Sequence, residues 1–490
     1  MFDYLLSGLG AAFSLAIFPV LIFGVLGGII LGALPGLTAT MGVAILLPFT
    51  FGMEATAAMV MLIGVYIGGI YGGSISAILL KTPGTPASAA TVLDGYYLTQ
   101  QGQAARALSI SAVASFIGGL VSTIILIAIA PMLAKFALRF NAPEYFALAL
   151  FGLTIIASIS SKNILKGLLA GTIGLLVSTV GLDPISSVPR FTFGVMELYS
   201  GINVIPVLIG LFAISEALNQ LEKLSSKSQI AEKFSNKLMS LKDLKKILPT
   251  SIKSALLGTS IGAVPGAGAD ISAFVCYNEA KRVSKEPEEF GNGSIKGLAA
   301  AESGNNGVTG GSLVPLLTLG VPGDAVAAVL LGALIIQGLT PGPLLFSQNP
   351  EIVYGIFSSM LVANIVMLAI GLLGIRFFCQ ISKVPKSLMI PIIIFLSIVG
   401  AYAINNAMFD VGIAIVFGVL GFILGKLEVP SSPILLAIIL GPMAETNLRK
   451  SLLMFDGSWA FLYERPIALA FITLAIFSLW STIRRNRKKT

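Results

Sequence analysis

Histidine is absent from this chain of 490 residues, which excludes a histidine proton relay, a histidine-ligated haem, most zinc chemistry and the histidine-dependent hydrolase triads. Charge is scarce: only 11% of the residues are Asp, Glu, Lys or Arg, where a soluble domain carries about a quarter. The two cysteines, Cys276 and Cys379, lie far apart in or beside apolar segments. A structural disulfide or a transition-metal site is therefore not expected, and both read as packing residues. No Lys or Arg precedes Lys81. A secretory signal needs a basic start, so the first apolar segment, Leu9 to Leu34, is expected to be retained.

Apolar sequence fills the space that charge leaves. Hydrophobic residues make up 56% of the chain and the mean hydropathy is +0.93. A helix crosses a hydrocarbon core about 30 Å thick with roughly 20 apolar residues, and such stretches recur almost from end to end. The composition predicts an all-α polytopic membrane protein with about 10–12 transmembrane segments. The net charge of +8 does not point to nucleic acid, because the basic residues sit in short connecting segments rather than on a folded face. They read as topology instead. The Lys-rich stretch Leu221 to Lys253 and the tail Arg484 to Lys489 are expected in the cytoplasm, which leaves the N-terminus outside.

Laying the second half over the first with a shift of roughly 230 to 240 residues reveals an internal repeat. Gly32-Ala33-Leu34-Pro35-Gly36 matches Gly262-Ala263-Val264-Pro265-Gly266, each at the end of an apolar segment. Gly72-Gly73-Ser74, Leu79-Leu80 and Pro83-Gly84 match Gly310-Gly311-Ser312, Leu316-Leu317 and Pro322-Gly323 in the same order. The expected organisation is a first membrane repeat over 1–220, a cytoplasmic Lys-rich linker over 221–250, a second repeat over 251–450, and an extra C-terminal helix with a basic tail over 464–490. An odd number of crossings per repeat gives inverted topology.

Proline removes a backbone donor and clashes with the preceding turn, so these Pro-Gly pairs break apolar helices. In lipid, freed backbone groups are tolerated only inside protein or along a water-filled cavity, and the breaks therefore mark the site. Half-helix N-termini attract anions there, while C-terminal carbonyls coordinate cations. Candidate anion contacts are Pro35, Gly36 and Thr38 at the first break, and Ser74, Ser76, Lys81, Thr82, Pro83, Gly84, Thr85 and Ser88 at the second. The second half offers Asn305, Asn306, Thr309, Ser312, Thr318, Pro322 and Gly323. Lys81 follows an apolar run, and its charge suits either a substrate carboxylate or a lipid headgroup. Asp270, Glu302 and Asp324, with Gly266 and Ser303 beside them, are candidates to bind sodium or take up a proton, although an aspartate after Pro-Gly is equally a helix N-cap.

The segments Gly32 to Ala39, Lys81-Thr82-Pro83-Gly84-Thr85-Pro86, Ala301-Glu302-Ser303-Gly304-Asn305-Asn306 and Gly320-Val321-Pro322-Gly323-Asp324 resemble the signatures of the large membrane subunit of tripartite tricarboxylate transporters. The resemblance extends over nearly the whole chain. It implies a secondary active importer of a tricarboxylate such as citrate, or of a related carboxylate, in a bacterial inner membrane. It further implies coupling to sodium or protons without any other cofactor, and a fold like that of ion-transporter-superfamily carriers, with two inverted repeats and re-entrant hairpins. Two partners follow from the same resemblance, a small four-helix membrane subunit and an extracytoplasmic solute-binding protein. An elevator-like motion against a homodimer scaffold is consistent with it. The competing readings are a stand-alone carrier of another small anion or amino acid, an ion channel, and an intramembrane enzyme with a Ser/Lys dyad near Ser74, Ser76 and Lys81.

Overall fold

The computed structural model describes residues 2–34, 37–159, 164–183, 185–222, 238–375, 377–378 and 386–487. Regular structure among them is helical apart from one short antiparallel pair, Gly181–Leu182 with Pro189–Arg190. Among the described residues, five helices are long and apolar enough to cross a membrane: Ala55–Leu80, Ala104–Ala137, Val204–Glu222, Pro350–Leu373 and Met408–Lys426. Shorter apolar helices accompany them, as expected of a multi-pass membrane protein.

The chain forms two compact units, each drawn from both halves of the sequence. One comprises Met1–Ala134 with Asn219–Leu396, the other Lys135–Leu218 with Ser397–Thr490. The first unit contains every candidate site residue. Besides Phe2–Ala12, Pro343–Gln348 and the first part of Lys386–Asn405, its helices are α1 (Phe18–Ala33), α2 (Ala39–Leu46), α3 (Ala55–Leu80), α4 (Thr91–Gln100), α5 (Ala104–Ala137, within this unit as far as Ala134), α6 (Leu241–Gly262), α7 (Ala269–Val283), α8 (Ile295–Leu319), α9 (Ala325–Ile336) and α10 (Pro350–Leu373).

Two helices of nearly equal length form the centre. Over 26 residues α3 is apolar all round and buried almost to its ends, as a helix without a polar face must be. Its first turn is capped by Glu54, whose carboxylate accepts the Thr56 and Ala57 N–H groups. The 25 residues of α8 begin at the Ser294 cap and stop at Gly320, which adopts φ 71° in the left-handed region. Each central helix has a partner pressed backbone to backbone against it. A Cβ on Gly28 of α1 would stand 2.4 Å from the Val65 carbonyl oxygen of α3, and one on Gly258 of α6 would stand 2.2 Å from that of Gly304 in α8. The long helices then cross over between sequence halves: α5 lies against α8, where a Cβ on Gly118 would meet the Ser303 carbonyl oxygen at 2.4 Å, and α10 lies against α1 and α3.

The second unit packs Ala142–Ile159 and Ile164–Ser178 against Ser432–Met454, with Pro466–Arg487 alongside the first of them. A π turn at Ile209–Ile214 faces Met408–Lys426. Its ion pairs include Arg465 with Glu144 at 2.8 Å, and a network in which Arg190 and Arg449 both reach Asp183 and Glu445.

The polar stretch expected as linker is helical from Leu241 on. Ser240 and Asp243 form a reciprocal capping box, and α6 continues from there into the apolar run. Residues 223–237 of that stretch, Cys379 and residues 488–490 lie outside the described residues. Cys276 is fully buried and packs between α6 and α8, its Sγ 3.4 Å from the Ser254 carbonyl oxygen. Asp243 also receives two hydrogen bonds from the Arg106 guanidinium, at 3.1 and 2.6 Å, tying the start of α6 to the start of α5.

That guanidinium holds the Asp243 carboxyl down at about 2, below the ordinary aspartate value of about 3.9. A depressed carboxyl contributes stability above its unfolded value and loses it as the pH falls through the folded one. Asp243→Asn is expected to lower thermal stability at pH 7 by about 1 kcal/mol. Melting curves of wild type and variant should converge as the pH drops from about 4 toward about 2. A gap that persists unchanged at low pH would show that the pair contributes nothing.

Candidate functional site

The site grows from the breaks that follow α3 and α8. After α3 the chain turns through Lys81, a non-glycine residue at φ 58°, and Pro83-Gly84 folds back so that the Gly84 N–H donates to the Gly73 carbonyl at 3.1 Å. Only a glycine fits at 84: a Cβ there would stand 2.1 Å from the Gly32 carbonyl oxygen and 2.9 Å from the Gly73 Cα. The break after α8 is built alike. A Cβ on Gly323 would stand 2.4 Å from the Gly262 carbonyl oxygen and 2.6 Å from the Ser312 Cα, while the Gly323 carbonyl accepts the Gly266 N–H at 2.7 Å.

Across these turns the sequence halves exchange contacts. Tyr66 of α3 donates its hydroxyl to Asp324 at 2.6 Å and lies 3.0 Å from Ser312 Oγ. Asn305 of α8 donates its amide to the Ala87 carbonyl at 3.1 Å, in the turn after Gly84. Tyr66 and Asn305 are 239 residues apart, as are Gly84 and Gly323, Gly73 and Ser312, and Thr85 and Asp324. Asp324 is the N-cap of α9 and accepts the Ala327 N–H at 2.7 Å. Thr38 caps α2 in the same manner through the Met41 N–H at 3.1 Å.

Beside the first turn lies Glu302, fully buried in the middle of α8. Ser74 (2.6 Å) and Thr91 donate to its Oε1, and Ser111 (3.1 Å) and Ser115 (2.9 Å) to its Oε2. An ionised carboxylate has about four acceptor positions, and four hydroxyls fill them. No Lys or Arg forms an ion pair with it among the described residues. The amides of Asn305 and Asn306 adjoin it, with Asn306 Nδ2 donating to the Glu302 main-chain carbonyl at 3.2 Å and to Asn305 Oδ1 at 2.8 Å.

The structure thus brings Ser74, Gly84, Thr85, Asn305, Asn306, Ser312, Pro322, Gly323, Glu302 and Asp324 into one buried layer around the two breaks, with Gly266 half-buried at its edge. Ser76 and Ser303 turn to main-chain carbonyls, those of Gly73 and Ala114. Lys81 and Thr82 are exposed, with the Lys81 ammonium 5.7 Å from the centre of the Tyr96 ring, and Pro83 is half-buried. Asp270, in the first turn of α7, is exposed as well. Pro35 and Gly36 lie outside the described residues. Sequence reasoning missed Tyr66, Thr91, Ser111 and Ser115. The one usable signal was Ser111 and Ser115, four apart and therefore on one face of an otherwise apolar helix.

The model of the tripartite tricarboxylate transporter TctA family matches residues 18–436 of this chain. Two similar proteins come from Agrobacterium vitis. An uncharacterized 52.8 kDa protein in the TAR-I ttuC' 3' region is 38% identical over 493 residues, covering 99% of this chain and 98% of that protein. An uncharacterized protein in the TAR-II ttuC' 3' region is 36% identical over 234 residues, covering 47% of this chain and 97% of that protein. No solved structure matches.

The close approach at the two turns sets a test. Gly84→Ala and Gly323→Ala each drive a methyl into a carbonyl oxygen and should cost about 1–3 kcal/mol. Gly412→Ala, where nothing lies within 4 Å, should cost nothing. Thermal unfolding of the purified variants measures all three. Equal stability across them would mean that the turns are not seated as described.

Proposed function

Because the chain belongs to the tripartite tricarboxylate transporter TctA family, we propose that it is the large membrane subunit of a secondary active importer of a small carboxylate, driven by a sodium or proton gradient. The family is one of transporters, and catalytic chemistry has no part in the reading. The observation that carries it is the pair of broken helices meeting in one buried polar layer, with Gly84 seated on Gly32 and Gly323 on Gly262. Matched contacts, with Gly84 and Gly323 239 residues apart and the glycines that seat them, Gly32 and Gly262, 230 apart, support an ancestry in two repeats, and the crossing of α5 and α10 onto the opposite halves suits inverted topology. A carrier needs such turns, since backbone groups released at mid-membrane must find protein or substrate partners.

The two turns are chemically unequal, which bears on the substrate. Asp324 places a negative charge at the start of α9, where an anion would be repelled, whereas the corresponding residue of the first turn is the neutral Thr85, with Lys81 four residues before it. A carboxylate is therefore better received at the first turn, where Thr85 is buried and Lys81 stands exposed at the edge. The reading includes a solute-binding protein that delivers substrate, a small membrane subunit, and a bacterial inner membrane with the basic tail in the cytoplasm.

Proteoliposomes containing this chain with its small subunit and binding protein should accumulate a labelled carboxylate from a tri-, di- and monocarboxylate panel only under an inward sodium or proton gradient. Lys81→Ala should lower that uptake about tenfold or more, the loss expected for one charged contact. Uptake that ignores every gradient, or a complete system that moves no carboxylate, would remove this function while leaving the membrane fold untouched.

A further inference from the structure

We propose that the second unit carries a phospholipid site where the helix Ser432–Met454 ends beside the loop 181–201, with an ethanolamine headgroup held between Arg449 and Asp456 and acyl chains along Ile185, Leu452 and Leu453. The site stands whether or not the chain moves a carboxylate.

The groove at this helix end has a volume of about 440 Å³ and is lined by Ile185, Arg449, Leu452, Leu453, Asp456 and Gly457. Its surroundings are those of a membrane boundary. Along the helix the apolar run Ile434 to Met443 gives way to Glu445, Arg449 and Lys450, and apolar residues return at Leu452-Leu453-Met454. Exposed aromatic residues gather at the same end, as they do at headgroup level. Trp459 and Tyr463 follow the helix at 54% and 69% exposure, and Phe191 and Phe193 of the loop stand at 55% and 87%. The loop is fixed in place. Its ends meet where a Cβ on Gly181 would stand 2.9 Å from the Gly201 Cα, and it is tied to the helix by Asp183 with Arg449 at 2.8 Å and by Arg190 with Glu445 at 2.7 Å. Ile185 thereby forms one wall of the groove.

Charge selects the headgroup. Arg190 and Arg449 balance Asp183 and Glu445 within their network, whereas Asp456 forms no ion pair among the described residues and leaves the groove one negative charge. A headgroup of net negative charge is repelled there. A zwitterion is not. Arg449 is held by two carboxylates, yet its side chain is 37% exposed and has N–H groups left for a phosphate. The ammonium meets Asp456 and the carbonyl end of the helix, which favours cations. An ethanolamine ammonium donates hydrogen bonds to both, whereas the trimethylammonium of choline has no N–H to donate. The apolar wall made by Ile185, Leu452 and Leu453 suits a whole lipid rather than a free headgroup.

The test uses the purified full chain, delipidated in detergent. The probes are phosphatidylethanolamine, phosphatidylcholine and phosphatidylglycerol with identical acyl chains, and glycerophosphoethanolamine as the soluble headgroup. Native mass spectrometry counts bound lipid, and thermal unfolding follows its effect. One phosphatidylethanolamine per chain should be retained, raising the melting temperature saturably and binding about tenfold more tightly than the other two lipids. Asp456→Asn should abolish that preference. Asparagine accepts the left-handed φ of 49° at this position, so the variant folds, which an unchanged melting temperature in phosphatidylcholine checks. Leu453→Asn should weaken all three lipids, whereas Ile476→Asn, at a comparably exposed apolar residue that does not line the groove, should weaken none. Equal binding of the three lipids, or an ethanolamine preference intact in Asp456→Asn, reduces the groove to a place for unselected surrounding lipid and overturns the site. Glycerophosphoethanolamine binding as tightly as the whole lipid, or a protein partner that excludes lipid from the groove, overturns it as well.

Discussion

Backbone contact between paired helices is the constraint on which the rest of the first unit depends. Gly24, Gly28 and Gly32 recur every fourth residue and make one flat face of α1, and a Cβ at any of them would stand within 2.4 Å of a carbonyl oxygen of α3. Gly258 and Gly262 present the same face of α6 to α8. In an apolar solvent the hydrophobic effect does not press helices together, so close packing and internal hydrogen bonds must. Once the backbones are this near, α3 and α8 have no lipid-facing side, and every polar group they carry has to be met by protein. The hydroxyl shell of Glu302 and the Tyr66–Asp324 bond are consequences of that enclosure.

The same contact explains why the two breaks look alike while their chemistry differs. What seats each turn is a glycine against a carbonyl oxygen and against the Cα of the central helix, Gly84 on Gly32 and Gly73, Gly323 on Gly262 and Ser312. Thr85 also lays its side chain on Gly73, whereas Asp324 turns its carboxylate to the Ala327 N–H and to Tyr66. The two occupy corresponding places with different charge, as Tyr66 and Asn305 do with different reach. The duplicated frame thus carries unequal functional groups.

The breaks were legible because proline and glycine act locally: Pro83-Gly84 and Pro322-Gly323 interrupt apolar runs in any environment. Ser74, Asn305, Asn306 and Glu302 were legible as polar residues beside such breaks. Their grouping was not, since it joins residues from 74 to 302 through long-range packing. Thr91, Ser111 and Ser115 escaped notice because serine and threonine in an apolar helix commonly bond a carbonyl of the preceding turn, which makes them silent in a sequence. Lys81 was legible only as far as two alternatives, a substrate carboxylate or a lipid headgroup. The left-handed turn at φ 58° sets it exposed over Tyr96. The start of α6 was hidden by the Lys-rich composition of its first turns, although Ser240 and Asp243 have the spacing of a capping box.

Glu302 and Asp324 are both nearly inaccessible, at 0% and 6% exposure, and a sequence treats them as equals. Their surroundings separate them. Asp324 stands at a helix start, where the Ala327 N–H and the positive end of the α9 dipole receive its charge, and Tyr66 closes its other oxygen. It has a structural role where it is. Glu302 stands seven residues after Ile295, about two turns inside α8, among hydroxyls that each carry no net charge. The carboxylate gathers four buried hydroxyls from three other helices, Ser74 of α3, Thr91 of α4 and Ser111 and Ser115 of α5, and a leucine there would leave all four without that acceptor. Asp324 is a local cap, whereas Glu302 is a tie between helices distant in sequence.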